Sequence, residues 1–108
     1  MNRGEAWWVD FEPALGGEIT KTRPAVIVSN NGANAALNRV IVIPLTSKTA
    51  KVFPGEAIVN VAGCMSKALA SQLTTVSKAR LKNLFGKVSD KDMLMIEKAV
   101  CTQLGLPI

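Results

Sequence analysis

KTRPAVIVSN, residues 21 to 30, runs a lysine and an arginine into a proline and then into four consecutive apolar residues. A short unbroken apolar run rich in β-branched residues is the pattern of a strand buried on both faces, and a proline at its first position misses no ladder donor. Residues 40 to 48, VIVIPLTSK, show the arrangement in reverse: four apolar residues, Pro44, then Thr46 and Ser47. Two core strands are therefore expected, the second closed by Pro44. One starts at Arg23 and the other ends at Thr46 and Ser47.

Working outward, EAWWVDF (5 to 11) sets Trp7, Val9 and Phe11 on one face and Trp8 and Asp10 on the other, the period-two pattern of a half-buried strand. EPALGGEITKT (12 to 22) combines proline, paired glycines and polar residues and reads as a long loop, and NNGAN (30 to 34) reads as a turn. Residues 56 to 61 alternate after Pro54-Gly55 and predict a short strand. ALASQLTTV (68 to 76) predicts another, since Thr74, Thr75 and Val76 are stiff at χ1. SKARLKNLFG (77 to 86) predicts a short helix stopped by Gly86. Ser89-Asp90-Lys91-Asp92 has the form of a capping box, with Asp92 reaching back. Met93, Ile96, Ala99, Val100 and Leu104 then recur at helical spacing, the methionines of this helix serving as core filler. These elements make a single domain over residues 1–108, mainly β with a C-terminal helix: a small β-barrel or open sheet capped by that helix.

At 108 residues, 48% hydrophobic and 19% charged, the chain has the length and composition of one folded domain. Its net charge of +5 is unevenly spread: between Ile19 and Ser89 there are ten lysines and arginines and one acid, Glu56. That bias suits a polyanionic partner, a nucleic acid or an acidic protein segment, with a lysine-rich solubilising surface as the alternative. No apolar run approaches the ~20 residues of a membrane span, and no signal-peptide core follows Met1, so a cytoplasmic protein without membrane contact is expected. Cys64 and Cys101 stand far apart with no histidine anywhere in the chain, which suggests two small buried hydrophobes in place of a zinc site or disulfide framework.

The absence of histidine removes Ser-His-Asp, Cys-His and paired-histidine nuclease chemistry. No phosphate-cradling glycine motif occurs, and the acids are too scattered for a magnesium cluster. Any catalysis is expected to need no metal, cofactor or imidazole. What remains is Arg23, Thr46-Ser47 and, on a third expected strand, Ser71-Gln72. An arginine fork suits two phosphate oxygens and a threonine hydroxyl a third, a combination able to stabilise the extra charge of a pentacoordinate phosphorus. On spacing alone two plainer readings stand beside this one: Arg23 in a surface ion pair, and Thr46 ending its strand by bonding nearby backbone.

Several pieces in order, RGEAWWVDFEP (3 to 13), GGE (16 to 18), KTRPAVIVSNN (21 to 31), VIVIPLTS (40 to 47), SKALASQLTTVSKARL (66 to 81), GKVS (86 to 89) and LGL (104 to 106), give the chain a resemblance to the MazF/PemK family of toxin endoribonucleases. The resemblance implies an SH3-like barrel with attached helices, a homodimer, and a type II toxin paired with an antitoxin whose acidic, disordered tail covers the basic surface. It further implies cleavage of single-stranded RNA without metal, by 2′-hydroxyl attack, leaving a 2′,3′-cyclic phosphate or 3′-phosphate and a 5′-hydroxyl. Carried over by position, the family's catalytic arginine falls on Arg23 and its threonine on Thr46, with Glu18, Lys21, Ser47, Lys48, Ser71 and Gln72 as substrate-binding candidates. Two departures stand out. Gly17 replaces a histidine of some members and Ser71 a carboxylate of many, so neither place offers a proton acceptor, and Ser71 and Gln72 either position substrate or complete a sheet edge. The alternatives are a catalytically weak RNA- or antitoxin-binding module, and a CcdB-like gyrase-poisoning toxin, whose relatives end in Trp-Gly-Ile where this chain ends in LGLPI.

Overall fold

The two apolar runs pair with each other. In the computed structural model, which describes residues 1–11 and 21–108, β1 (Glu5–Asp10) and β2 (Thr22–Ile27) precede a short helix α1 (Asn31–Ala36) and β3 (Arg39–Thr46). There follow β4 (Glu56–Val61), β5 (Cys64–Leu69), β6 (Thr74–Ser77), β7 (Leu81–Lys87) and the helix α2 (Asp90–Leu104). The strand order is β4-β5-β3-β2-β1-β7, with β6 also on β3, and all the pairings are antiparallel. The loop expected over residues 12 to 22 lies largely outside the described residues.

Both faces of β2 and β3 are covered, which is why their sequences read as continuous apolar runs. Val26, Ile43 and Leu45 join Val59 and Val61 in a core closed by Met93, Ile96 and Ala99 of α2. Ala25, Ile27, Val40 and Val42 face the other way with Val9, Val76 and Leu81, and Trp7 and Phe11 pack over them. Each of the fully buried Ile27, Ile43 and Leu45 side chains stabilises the fold by roughly 1.5–3 kcal/mol. The expected faces of β1 are met: Trp8 leaves the side of Trp7 and Val9 and sets its ring edge-on to Phe85, centroids 5.5 Å apart.

Pro44 does not close β3. It pairs with Ala25 of β2, while on the other edge β3 changes partner, from β6 at Val42 to β5 at Leu45. A residue without an N–H fits at such a fork. The same fork divides the strand expected over 68 to 76. Between β5 and β6 the register against β3 slips by three residues, the length of the 3₁₀ turn Ala70–Gln72 that joins them.

Three further expectations change. Residues 30 to 34 start α1 in place of a turn, because the Asn30 side chain caps it by accepting from the Ala33 N–H at 2.8 Å. Residues 77 to 86 form one 3₁₀ turn, Lys78–Arg80, and then β7, since the open edge of β1 takes up Leu81 onward and tertiary pairing overrides local propensity. Ser89 does cap α2, accepting from the Asp92 N–H at 3.1 Å, but the Asp92 carboxylate accepts from the Asn60 N–H of β4 at 2.9 Å, tying helix to sheet. Met93 is buried as expected, whereas Met95 is 45% exposed. Cys64 is also exposed and Cys101 half-buried, both as free thiols, because Cys64 opens β5 at the tip of the β4–β5 hairpin. No helix among the described residues is long and apolar enough to cross a membrane.

The half-barrel curls until β7 reaches β4. Gly86 is not a helix stop but the point of closest approach: a Cβ there would lie 2.9 Å from Val61 Cγ1 and 3.3 Å from Ala62 Cβ. Gly86→Ala should therefore cost about 1–3 kcal/mol of stability through overpacking, read as a lower urea midpoint. A midpoint equal to the parent's would mean that the β4 end moves aside freely.

Candidate active site

Arg23 and Thr46 lie on two paired strands, β2 and β3. Ala25 pairs with Pro44 and Ile27 with Val42. Arg23 stands two residues before Ala25 and Thr46 two residues after Pro44, so the two flank the same end of this pairing. On its other edge β2 pairs Arg23 with Val9 of β1, so its backbone is held from two sides near the site. Arg23 is half-buried. Its Nε is fully buried and has no hydrogen-bond partner among the described residues. A buried donor without a partner is uncommon and is a feature of sites that await a ligand or store strain.

Thr46 ends β3 as the plainer reading expected: its Oγ1 accepts from the Lys48 N–H at 3.2 Å. That bond uses a lone pair and leaves the hydroxyl proton free to donate. Backbone bonding and a role toward an anion are thus compatible. Ser47 and Lys48 follow, both exposed at the strand end. Lys21 is exposed at the outer end of β2, in a left-handed backbone conformation (φ 67°), and its carbonyl accepts from the Phe11 N–H at 3.1 Å. Ser71, exposed, and Gln72, half-buried, sit on the 3₁₀ turn at the fork of β3, so they belong to a turn and not to the expected strand. Glu18 and Gly17 lie outside the described residues. The end of β3 thus carries Thr46, Ser47 and Lys48, with β2, the strand of Arg23, along one edge and the Ser71-Gln72 turn packed at the other.

Lys67 was missed. On β5 it pairs with Thr46 of β3, and it is the only charged residue buried among the described residues. Its Nζ lies 3.1 Å from Glu56 Oε1 and donates to the Lys51 carbonyl at 2.7 Å. The signal was there: Glu56, the single acid of a basic stretch, starts a strand. Arg80 also reaches the end of β1, where its Nη1 donates to the Asp10 carbonyl at 3.0 Å. Among the described residues no group of three or more His, Cys, Asp or Glu comes together as a metal site. A cleft of about 420 Å³ lies elsewhere, lined by Val28 just past β2, by Ile41 of β3 and by Ile96, Val100 and Glu97 of α2.

Residues 2–104 match the family of PemK-like, MazF-like toxins of type II toxin–antitoxin systems. The chain belongs to that family. It is 37% identical to Endoribonuclease MazF9 of Mycobacterium tuberculosis over 98% of each chain. Endoribonuclease MazF of Staphylococcus saprophyticus is 32% identical over 98% of this chain and 92% of the relative. Among solved structures, a mycobacterial endoribonuclease in complex with its cognate antitoxin superposes with a TM-score of 0.84 at 27% identity, over 100% of this chain and 98% of the other. MazF from Deinococcus radiodurans, 22% identical, has a TM-score of 0.86 over 98% and 97% and shares the fold. The expected architecture, mainly β with a C-terminal helix, is thereby met.

The pair beside Thr46 makes the site's frame sensitive to acid. The Phe53 N–H, 2.8 Å from Oε1, and then Lys67 hold the Glu56 carboxyl below its ordinary value, although partial burial acts in the opposite direction. A lowered folded pKa contributes stability that is present above the unfolded value of ~4.3 and is lost as pH falls through the folded one. Denaturant titrations from about pH 5 down to about pH 3 should show the parent losing more stability than Glu56→Gln, which has no carboxyl to protonate there. Parallel losses would place the acid sensitivity elsewhere.

Proposed function

We propose that this chain is the toxin of a type II toxin–antitoxin pair and acts as a sequence-selective endoribonuclease on single-stranded mRNA. The observation that carries the reading is the buried, unpartnered Nε of Arg23 on the strand that pairs beside Thr46. Family membership and the endoribonuclease names of the two curated relatives support it over a gyrase poison or a silent binding module.

In the proposed reaction the ribose 2′-oxygen attacks the adjacent phosphorus and loses its proton, the bond from phosphorus to the 5′-oxygen breaks, and that oxygen takes up a proton. The products are a 2′,3′-cyclic phosphate, open to hydrolysis to a 3′-phosphate, and a 5′-hydroxyl. Charge builds on the non-bridging oxygens as phosphorus becomes pentacoordinate. The Arg23 guanidinium, which stays protonated throughout, and the Thr46 hydroxyl meet that charge with donors already fixed by strand pairing. Arg23 therefore stabilises charge and is not the proton acceptor. Lys21 and Lys48, both exposed beside the site, neutralise flanking phosphates, and Glu18, Ser47, Ser71 and Gln72 complete the substrate contacts.

The proposal includes a homodimer, a cytoplasmic location where mRNA is found, and an antitoxin with an acidic, disordered tail. The net charge of +5 suits that tail as well as RNA, so the two would compete. The complex of the 27% identical mycobacterial relative with its antitoxin supports this part.

Arg23→Ala should lower cleavage of a long single-stranded RNA by roughly 10²–10³-fold, the usual cost of losing one charge-stabilising donor, with antitoxin binding largely kept. The assay is run in excess EDTA, with product ends tested for a 5′-hydroxyl. Equal rates for variant and parent would remove Arg23 from the chemistry.

A further inference from the structure

Taking an ammonium out of water is unfavourable unless it is paired and hydrogen-bonded. Lys67 is only 8% exposed and meets both conditions through Glu56 Oε1 and the Lys51 carbonyl. The same Glu56 oxygen accepts from the Phe53 N–H at 2.8 Å, and the Glu56 N–H donates to the Phe53 carbonyl at 3.0 Å. Between them stand Pro54 and Gly55, the latter at φ +85°, the residues and geometry of a type II turn. The Gly55 carbonyl in turn accepts from the Ala70 N–H at 3.1 Å, at the head of the turn that carries Ser71 and Gln72.

The segment from Ser47 to Gly55 leaves β3 directly after Thr46. It is thus fastened at Lys51, Phe53 and Gly55, and two of those three ties run through the pair formed by Lys67 and Glu56. Its outward side chains are of the kinds that hold a single strand of nucleic acid: Lys48 and Lys51 for phosphates, and Phe53, 58% exposed on a clamped backbone, for a base face. A buried ion pair is weak evidence for stability, because a pair of apolar residues of similar size in place of both partners often serves the fold as well. What an apolar residue cannot do is hold the Lys51 carbonyl.

We propose that Lys67 is a positioning residue, which through Glu56 and the Lys51 carbonyl holds residues 47–55 as a fixed wall of the RNA groove beside Thr46. The inference rests on the nuclease reading given above. A wall that is ordered beforehand spares the RNA the entropy of ordering it on binding, and keeps the scissile phosphate aligned with Thr46.

Lys67→Met keeps the length of the side chain and removes its charge, and Lys67→Arg keeps the charge. With purified full-length parent and variants, the measurements are the denaturant midpoint, kcat and KM on a single-stranded oligoribonucleotide, the map of cut sites on one transcript, and amide exchange of residues 47–55. Lys67→Met should lower the midpoint, because the Glu56 carboxylate loses its cation, so activities are compared at equal folded fraction. Its kcat/KM should fall by about 10- to 100-fold, mainly through KM, with cuts at additional sites and faster exchange in 47–55. Lys67→Arg should recover part of each. A Lys67→Met variant with the parent's KM, cut map and exchange would overturn the inference, as would a fall in activity that only tracks the folded fraction. A parent that cuts no RNA would end the nuclease reading and this inference with it, while the exchange data would still report whether Lys67 orders the segment.

Discussion

The structure depends on β3 being hydrogen-bonded along both edges while it is covered on both faces. One edge meets β2, and the other meets β6 and then β5. Ladder bonds of this kind place backbone atoms far more tightly than loop contacts do, and chemistry on a phosphate needs donors placed that tightly. The register of Ala25 with Pro44 is therefore the link between fold and site. It brings together the ends of the two strands that carry Arg23 and Thr46 without any loop having to find its place.

Much of this was legible because the strongest signals were runs, not single residues. AVIV and VIVI reported two strands buried on both sides, and the cores show Val26 and Ile43 facing one way and Ala25 and Val42 the other. The elements that misread depend on partners far away in the chain. Residues 77 to 86 have the composition of a helix, but β1 offers an open edge and they become β7. The 3₁₀ turn at Ala70–Gln72 has no local cause; it takes up a register slip fixed by where β5 and β6 land on β3. Arg23 and Thr46 were singled out because each sat at the polar end of an apolar run. Lys67 escaped notice because burial, not sequence position, makes a lysine unusual, and nothing in SKALA marks it as buried.

The charge distribution has a similar two-level logic. A basic surface attracts RNA and an acidic tail alike and distinguishes them poorly. Discrimination has to come from shape, through groups whose positions are fixed before either partner arrives. The only acid between Ile19 and Ser89 is spent on that fixing, since Glu56 joins Lys67 and the Phe53 turn at the edge of the candidate site. One negative charge among ten positive ones thus organises the segment and leaves the surface field almost unchanged.

The fork in β3 also bears on how the molecule comes apart. Regions that open by themselves do so because few buried contacts or ladder bonds resist them. The end of β3 has little such freedom: releasing Thr46 breaks its pairing with Lys67, and one residue further the opening strips Leu45 from the interior. Opening that goes past Thr46 therefore draws on the interior, so a toxin weakened in its core would lose this end of the site along with its scaffold.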